Sequence, residues 1–484
     1  MSKCILRVKD QCNIKFEGLD PGTRKELVKK LSFMNPKARH MPSFRLGRWD
    51  GKVPFATIGG GTYFNLLSEA ATVVLNAGYD IEEIDERPAW NIDLDLIDKS
   101  YLSEYRWPEG HHKAGEQIIL NDHQVEAINN YLTPNDYGNR HSIQAISTSA
   151  GKTVITACLS KQVEKYGRTL VIVPGKDLVT QTLEDYANVG LDTGIYYSDF
   201  KMTDNHHIIS TWQSLTRMYN DENENFYKIT KDVVAIIVDE AHTITGAELK
   251  NMLCGPLAHV PLRWAMTGTI PKEPHEFNAL LCAIGPKTGE VRADALQKLG
   301  ILSDCDIDIM QLVDDVEYKA WDQEIEYLTT DKVRLEWIAE EIRKINLTGN
   351  TLVLVSRVPM GKKLGELLDS PFIYGNVASK KRKEEYKSIN TTDNKIIVAT
   401  FGVASTGINI PRIFNLVLIE PGKSFVRVIQ SIGRGLRRAA DKDFVQIYDI
   451  CSTAKFSKRH LASRKSDYSE ARYPYKVRKI NYRK

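Results

Sequence analysis

Cysteine is sparse in this 484-residue chain: its seven copies (Cys4, Cys12, Cys158, Cys254, Cys282, Cys305, Cys451) are scattered, odd in number and form no C-x-x-C pair. That usage argues against a zinc module and for a reducing compartment. No apolar run is long enough to span a bilayer, and the start, "MSKCILRVKDQ", has no long apolar core after its first charge; a membrane partner is not expected. Short-period repeats and low-complexity tracts are missing too, which disfavours a solenoid or an extensively disordered chain. Net charge is only +3, but it is unevenly spread: residues 451–484 hold eleven Lys and Arg against Asp467 and Glu470, a net of +9, leaving about −6 for the rest. A cationic end on a mildly acidic body suits a polyanion partner; a solvated tail is the alternative.

What is present is a rhythm. Between residues 120 and 286 short β-branched runs alternate with helical patterns: "SIQAIS" (142–147), "TLVIVP" (169–174), "HIIST" (207–211), "VVAIIVD" (233–239) and "RWAMTGT" (263–269). The rhythm returns after Lys332 with "TLVLVS" (351–356), "KIIVAT" (395–400), "NLVLIE" (415–420) and "FVQIYDI" (444–450). Continuous apolar strands separated by helices predict parallel sheets covered on both faces, so the fold class is α/β with two such sheets in tandem. The expected organisation is a small N-terminal α+β domain (1–90), a linker (91–118) of polar, aperiodic composition, two α/β domains (119–285 and 286–455) and a basic C-terminal tail (456–484). In the first of these, Asp50-Gly51 within "RWDGKVPF" predicts a hairpin turn.

The stretch "ISTSAGKTVI" (146–155) resembles a phosphate-binding loop whose usual first glycine is replaced by Ile146. A buried strand precedes it and a credible helix follows, the order such a loop requires. Small residues at Ser149, Ala150 and Gly151 let the backbone approach closely. Backbone N–H groups from Ser149 to Lys152 are then expected to face phosphate oxygens, with Lys152 neutralising the β and γ phosphates of ATP and Thr153 placing a hydroxyl on Mg2+. The strand "VVAIIVD" delivers Asp239, Glu240, Ala241 and His242 at its carboxyl end. There Asp239 suits Mg2+ through water, and Glu240 suits the base that activates the attacking water.

With these motifs the chain resembles the superfamily 2 helicases and translocases, in which two RecA-like domains carry the motor. The resemblance implies an adenine-reading role for Gln124 in "LNDHQVEAI", and contacts to a nucleic-acid backbone by Pro174 and Gly175, Thr211 and Gln213, Ser356 and Arg357, and Thr400. It also implies coupling of hydrolysis to movement by His242, Thr267, Gly268, Thr269 and Gln430. "VATFGVASTGINIP" (398–411), with Gly407 at the nucleotide, is similar to the fifth helicase motif, and "QSIGRGLRR" (430–438) to the sixth. In the family Arg434 and Arg437 of that segment would reach the γ-phosphate, a task suited to planar guanidinium groups one helical turn apart. "IPKEPHE" after "TGT" departs from the family pattern.

"PSFRLGRWDGKVPF" (42–55), "STSAGKT" and a compact second domain are similar to the UvsW-type helicases of tailed phages, which act on branched DNA. That resemblance implies an ATP-dependent DNA helicase or branch-migration motor moving 3′ to 5′ in recombination, repair or replication restart, on forked DNA or RNA–DNA hybrids, in the cytoplasm, that of the host if the chain is phage-encoded. Arg45, Arg48 and Lys52 are expected to meet phosphates around Trp49, which either stacks on a base or is a core aromatic. Alternatives are the motor subunit of a restriction system, an RNA helicase, or a nucleic-acid-binding module switched by ATP.

Overall fold

The computed structural model describes the chain apart from residues 1, 110, 112, 199, 376, 378–383, 387, 390, 405–409, 411, 423–431, 433–438, 440 and 484; Thr245 and Ala404 are described by backbone alone. Two compact units emerge, one of Met1–Glu109, Lys113–Ile146 and Lys152–Glu290, the other of Val291–Lys484 with Gly110–His112 and Ser147–Gly151. Each holds a large sheet, and the architecture is α/β.

The first unit's eight-stranded sheet has the order Phe200–Lys201, Thr193–Tyr197, His207–Thr211, Arg168–Val173, Val233–Asp239, Leu262–Thr267, His141–Ile146, Lys287–Val291. The six strands from Thr193–Tyr197 to His141–Ile146 are parallel, and Phe200–Lys201 closes one edge antiparallel. Because helices cover both faces, Val233–Val238 is buried without interruption, as an unbroken β-branched run demands. All five strands expected here form, each within a residue or two of its expected ends.

Near the N-terminus a four-stranded sheet (Gly61–Tyr63, Asn13–Glu17, Ser2–Val8, Tyr79–Asp85) packs helices Pro21–Lys30 and Leu67–Asn76. Its core runs on into Ala279 and Cys282 of helix Pro274–Ala283. Polar contacts add to it: Gln11 N donates to Ala258 O (3.0 Å), Asn13 Nδ2 to Cys254 O (2.8 Å) and Asn65 Nδ2 to Leu281 O (2.9 Å). Beneath them the fully buried Arg263 donates to Leu253 O, Leu257 O and Ala283 O, so one guanidinium caps the carboxyl ends of helices Ala247–Cys254 and Pro274–Ala283. The Cys12 thiol points at two of the same carbonyls.

Three expectations need correction. The segment 91–118, expected as a linker, is packed: Leu94, Ile97, Leu102 and Ile118 are buried, and Asn129 exchanges two hydrogen bonds with the backbone of Ile97. Isolated anchors in an extended segment leave no periodicity to detect. The Asp50-Gly51 turn does not join adjacent strands. Ser32–Met34 pairs with Lys52–Pro54, and the loop of residues 35–51 between them is closed by Asn35 N to Gly51 O (2.8 Å). Gly51 has φ +84, and a Cβ there would lie 2.9 Å from the Phe44 ring, so glycine is needed to close a loop rather than a hairpin.

The third correction concerns 456–484, which is no tail. The second unit's sheet is seven-stranded and parallel, in the order Phe372–Ile373, Ile396–Thr400, Thr351–Val355, Asn415–Ile419, Phe444–Ser452, Asp304–Leu312, Tyr475–Ile480. Helix Lys455–Glu470 and the edge strand Tyr475–Ile480 are thus integral. Tyr473 and Tyr482 are buried, Arg478 pairs with Asp308 and Arg483 with Asp331. Local charge hid this strand because an edge strand turns its basic side chains to water.

Candidate nucleotide-binding site

The site is built where strands end and helices begin. After strand His141–Ile146 the loop Ser147–Gly151 holds Ser149 at φ +68 and Gly151 at φ +84, and helix Lys152–Val163 follows. A left-handed serine costs about 1–3 kcal/mol and persists where surrounding structure imposes it, a mark of anion-binding loops whose N–H groups converge. At the end of Val233–Asp239, Glu240 is also left-handed (φ +55), and its N–H bonds Asp239 Oδ1 at 2.9 Å. This kink turns the chain into the short helix Ala241–Thr245 and throws the Glu240 carboxylate toward Lys152.

Lys152 Nζ lies 2.8 Å from Glu240 Oε1 and 3.8 Å from Asp239 Oδ1, with the Lys152 and Glu240 side chains only 10% and 8% exposed. His242 Nδ1 stands 3.4 Å from Glu240 Oε2 and 3.1 Å from Thr267 Oγ1. Thr267 Oγ1 donates to Thr269 O and accepts from Thr269 N, tying the Thr267-Gly268-Thr269 turn to the same cluster. Burial raises the Asp239 carboxyl above its ordinary range; Lys152 opposes this, and the adjacent Glu240 charge reinforces it. Burial pushes Glu240 the same way, but Lys152 and His242 prevail and hold it below the ordinary range, so it is an ionised acceptor at neutral pH.

Asp239 and the Thr153 hydroxyl are hard oxygen donors of the kind Mg2+ takes, and among the described residues no cluster of three His, Cys, Asp or Glu could hold a metal. Two such oxygens suit an ion whose other ligands are phosphates and water.

Other expected residues fall on the same carboxyl edges. Pro174 and Gly175 follow strand Arg168–Val173, with Gly175 the N-cap of helix Lys176–Ala187. Thr211 caps helix Trp212–Asn220, accepting from Ser214 N, and Gln213 is exposed beside it. Ser356, Arg357 and Thr400 occupy the equivalent edge of the second sheet, Arg357 exposed. Gln124 is buried and its Oε1 accepts from Asn121 N at 2.9 Å, completing a capping box on helix Asp122–Leu132. Trp49 is half-buried and gives its indole N–H to Lys52 O at 2.7 Å, closing the 35–51 loop, while Arg45, Arg48 and Lys52 are exposed. Gly407, Gln430, Arg434 and Arg437 lie outside the described residues. The unusual "IPKEPHE" has a local reason: Pro274 is the first residue of helix Pro274–Ala283, where its missing N–H costs nothing. Sequence reasoning missed Arg263 and Tyr131, whose hydroxyl donates to Ala265 O at 2.7 Å; both fix the strand that ends in Thr267. An arginine inside an apolar strand was the available signal.

Comparison with known proteins gives matches over both α/β domains. Residues 117–272 match the family model "Type III restriction enzyme, res subunit", and residues 333–439 match "Helicase conserved C-terminal domain". The chain is 26% identical over 482 residues to the ATP-dependent DNA helicase uvsW of Enterobacteria phage T4, covering 94% of this chain and 91% of that one. In fold it is similar to the ATP-dependent Type ISP restriction-modification enzyme LlaBIII bound to DNA (TM-score 0.57, 14% identity, 86% of this chain and 34% of that one). It is also similar to S. cerevisiae Dbp5 bound to RNA and ADP BeF3 (TM-score 0.51, 14% identity, 75% and 94%).

Proposed function

The chain belongs to the superfamily 2 helicases and is an ATP-dependent helicase, and from that premise we propose that it remodels branched DNA, such as forks, four-way junctions or R-loops, in recombination, repair or replication restart. The observation that carries the ATPase half is the Lys152–Glu240–His242–Thr267 cluster, which joins a phosphate-binding lysine, an ionised base and the Thr267–Thr269 turn in one hydrogen-bonded line. Incoming ATP phosphates exchange for Glu240 as the partner of Lys152. Glu240, so released, orients and deprotonates the attacking water, and His242 passes the change to Thr267. Thr153 and Asp239 would hold Mg2+, which supplies charge neutralisation on the phosphates. Arg437 is assigned as the arginine finger and Arg434 as a γ-phosphate ligand; Gln124 reads adenine, Gly407 lies at the nucleotide and Gln430 couples hydrolysis to movement. Backbone contacts by Pro174, Gly175, Thr211, Gln213, Ser356, Arg357 and Thr400 see no base sequence, so DNA affinity is expected to be strongly salt-dependent.

Branch selectivity is assigned to the loop of residues 35–51. Between Pro36 and Trp49 it holds Lys37, Arg39, Arg45 and Arg48 and no acidic residue, and its exposed Met41 and Leu46 are apolar. Cationic flanks with an apolar tip suit phosphates around an unstacked base step. Trp49 supports the loop from within.

The restriction-motor reading is favoured by the match of residues 117–272; the branched-DNA reading is favoured by the match to uvsW over 94% of this chain and 91% of that one. The test measures ATP hydrolysis and unwinding together on forked, linear and four-way DNA, with RNA equivalents. Equal activity on linear duplex and junctions refutes branch selectivity, and RNA-only stimulation refutes the DNA reading.

A further inference from the structure

Four parallel strands of the first sheet end level with one another. Val238, which precedes Asp239, is paired with Ile172; Val173 is paired with Thr211; and Ser210 is paired with Tyr196. Strands Val233–Asp239, Arg168–Val173, His207–Thr211 and Thr193–Tyr197 therefore finish in one row, about 5 Å apart from strand to strand. The row begins at the nucleotide cluster with Asp239. It continues through Pro174 and Gly175, with exposed Lys176 opening the helix that follows, and through Thr211 and Gln213. Ser210 Oγ donates to Tyr196 O at 2.7 Å, so a side chain also ties the last two strands together.

The fourth strand ends differently. Where the other three lead into helices, Thr193–Tyr197 turns back: Ser198 adopts φ +48, and Phe200 and Lys201 pair antiparallel with Tyr197 and Tyr196. Met202 N then donates to Ile195 O at 3.1 Å. Side chains alternate across a strand, so Lys201 falls on one face, its Nζ 4.5 Å from the centre of the Tyr196 ring, and Phe200 and Met202 fall on the other. Tyr196 packs with residues of helices Trp212–Asn220 and Glu224–Thr230, so the face with Phe200 is the one that helix Lys176–Ala187 covers. Phe200 is 51% exposed and Met202 42%, while the ring of buried Tyr197 backs Phe200 at 5.2 Å and 33°. One exposed aromatic is ordinary, and a sheet edge is usually blunted with charge. Here a tight turn instead presents a ring, braced by a second ring, at the outer end of the row.

We propose that Phe200 is a stacking platform for an unpaired base of single-stranded DNA, with Met202 as its apolar flank. This rests on the reading of Pro174, Gly175, Thr211 and Gln213 as backbone contacts. A strand whose sugar-phosphate chain follows the row carries its bases past the hairpin at the row's end, and stacking accepts any base because each has a π-face. The ring adds affinity without reading sequence. Because it neutralises no phosphate, it adds no salt dependence.

The experiment uses the full chain and the variants Phe200→Ala, Phe200→Leu, Phe200→Trp and Gln213→Ala, titrated with a single-stranded oligonucleotide and with an abasic strand of the same length. Phe200→Ala is expected to lose about tenfold in affinity for the normal strand, the worth of one base stack, with the slope of log K against log salt, the DNA-free ATPase rate and Tm unchanged. Phe200→Trp keeps wild-type affinity or exceeds it. On the abasic strand wild type and Phe200→Ala bind alike. If a fall in Tm shows that Phe200→Ala loosens the hairpin, Phe200→Leu, which keeps apolar bulk against Tyr197, carries the test with a loss of about fivefold or more. Undiminished affinity in the alanine and leucine variants, a loss that persists on the abasic strand, or a tryptophan variant as weak as the alanine one overturns the proposal. Gln213→Ala is expected to weaken binding of both strands equally; unchanged binding there overturns instead the backbone reading on which the proposal stands.

Discussion

Replacing Lys152 with Met isolates the central electrostatic bond of the nucleotide site. At 2.8 Å and an effective dielectric of ~20, the attraction between Lys152 and Glu240 is about 6 kcal/mol gross. Most of it offsets desolvation, but removing one partner of a buried pair leaves an uncompensated charge and costs about 3–5 kcal/mol. Here the loss is compounded, because Asp239 and Glu240 remain adjacent. Glu240→Gln alone leaves a lysine that can still turn to Asp239, 3.8 Å away, so its cost is smaller. The pair Lys152→Met/Glu240→Gln removes both charges, and a double-mutant cycle should return a coupling of about 2–3 kcal/mol. Urea unfolding followed by tryptophan fluorescence is the assay, Trp264 being buried in the same sheet. The penalty in Lys152→Met should shrink toward pH 5, as Glu240 relieved of its cation takes up a proton. Strict additivity within about 0.5 kcal/mol, or a penalty independent of pH, refutes the reasoning.

Other expected outcomes use different assays. Glu240→Gln should bind ATP at least as tightly as wild type by fluorescent-nucleotide titration, since it frees Lys152 from an ion pair, while Lys152→Ala binds poorly; equal loss in both contradicts the assigned roles. Because Glu240 is depressed from 4.5, its contribution to stability is present above that pH and is lost on acidification through its lower folded value; Asp239, raised from 3.8, contributes oppositely, costing stability as pH climbs through its raised value. Glu240→Gln should therefore flatten the acid limb of a Tm-against-pH curve, and an unchanged limb argues against the pair. Arg437→Ala should lower turnover about 10³-fold, and a loss under tenfold removes it as the finger. Arg45→Glu with Arg48→Glu should abolish the preference for forks while leaving ATPase on single strands within a few-fold; a retained preference places selectivity elsewhere.

Point substitutions test this chain where truncations would not. Removing residues 1–90 would bare the core shared with Ala279 and Cys282, and cutting after His460 would delete buried Arg464, Tyr468 and Tyr482. Strands such as Val233–Asp239 were legible because burial on both faces writes itself as a continuous apolar run. Asp304–Leu312 was not, since its acidic start resembles a loop; only tertiary structure supplies Arg478 as partner for Asp308. Lys152, Asp239 and Glu240 could be identified from the loop and the strand end that carry them, and Thr267 only through the family resemblance; the structure brings them together. The left-handed turns at Ser149 and Glu240 could not, because neither residue type advertises a positive φ.

The joint around Arg263 has a mechanical consequence. Its guanidinium gathers the ends of two helices next to the strand that leads to Thr267, and the N-terminal unit engages the same carbonyls through Cys12. A module on a leash samples a junction by diffusion, at an effective concentration set by the length of its tether. A module bolted to the motor's frame works as an outrigger: if the 35–51 loop holds a branch point as proposed, that point must advance by whatever increment the first sheet advances. Resistance at the branch would then arrive as torque on the Arg263 joint.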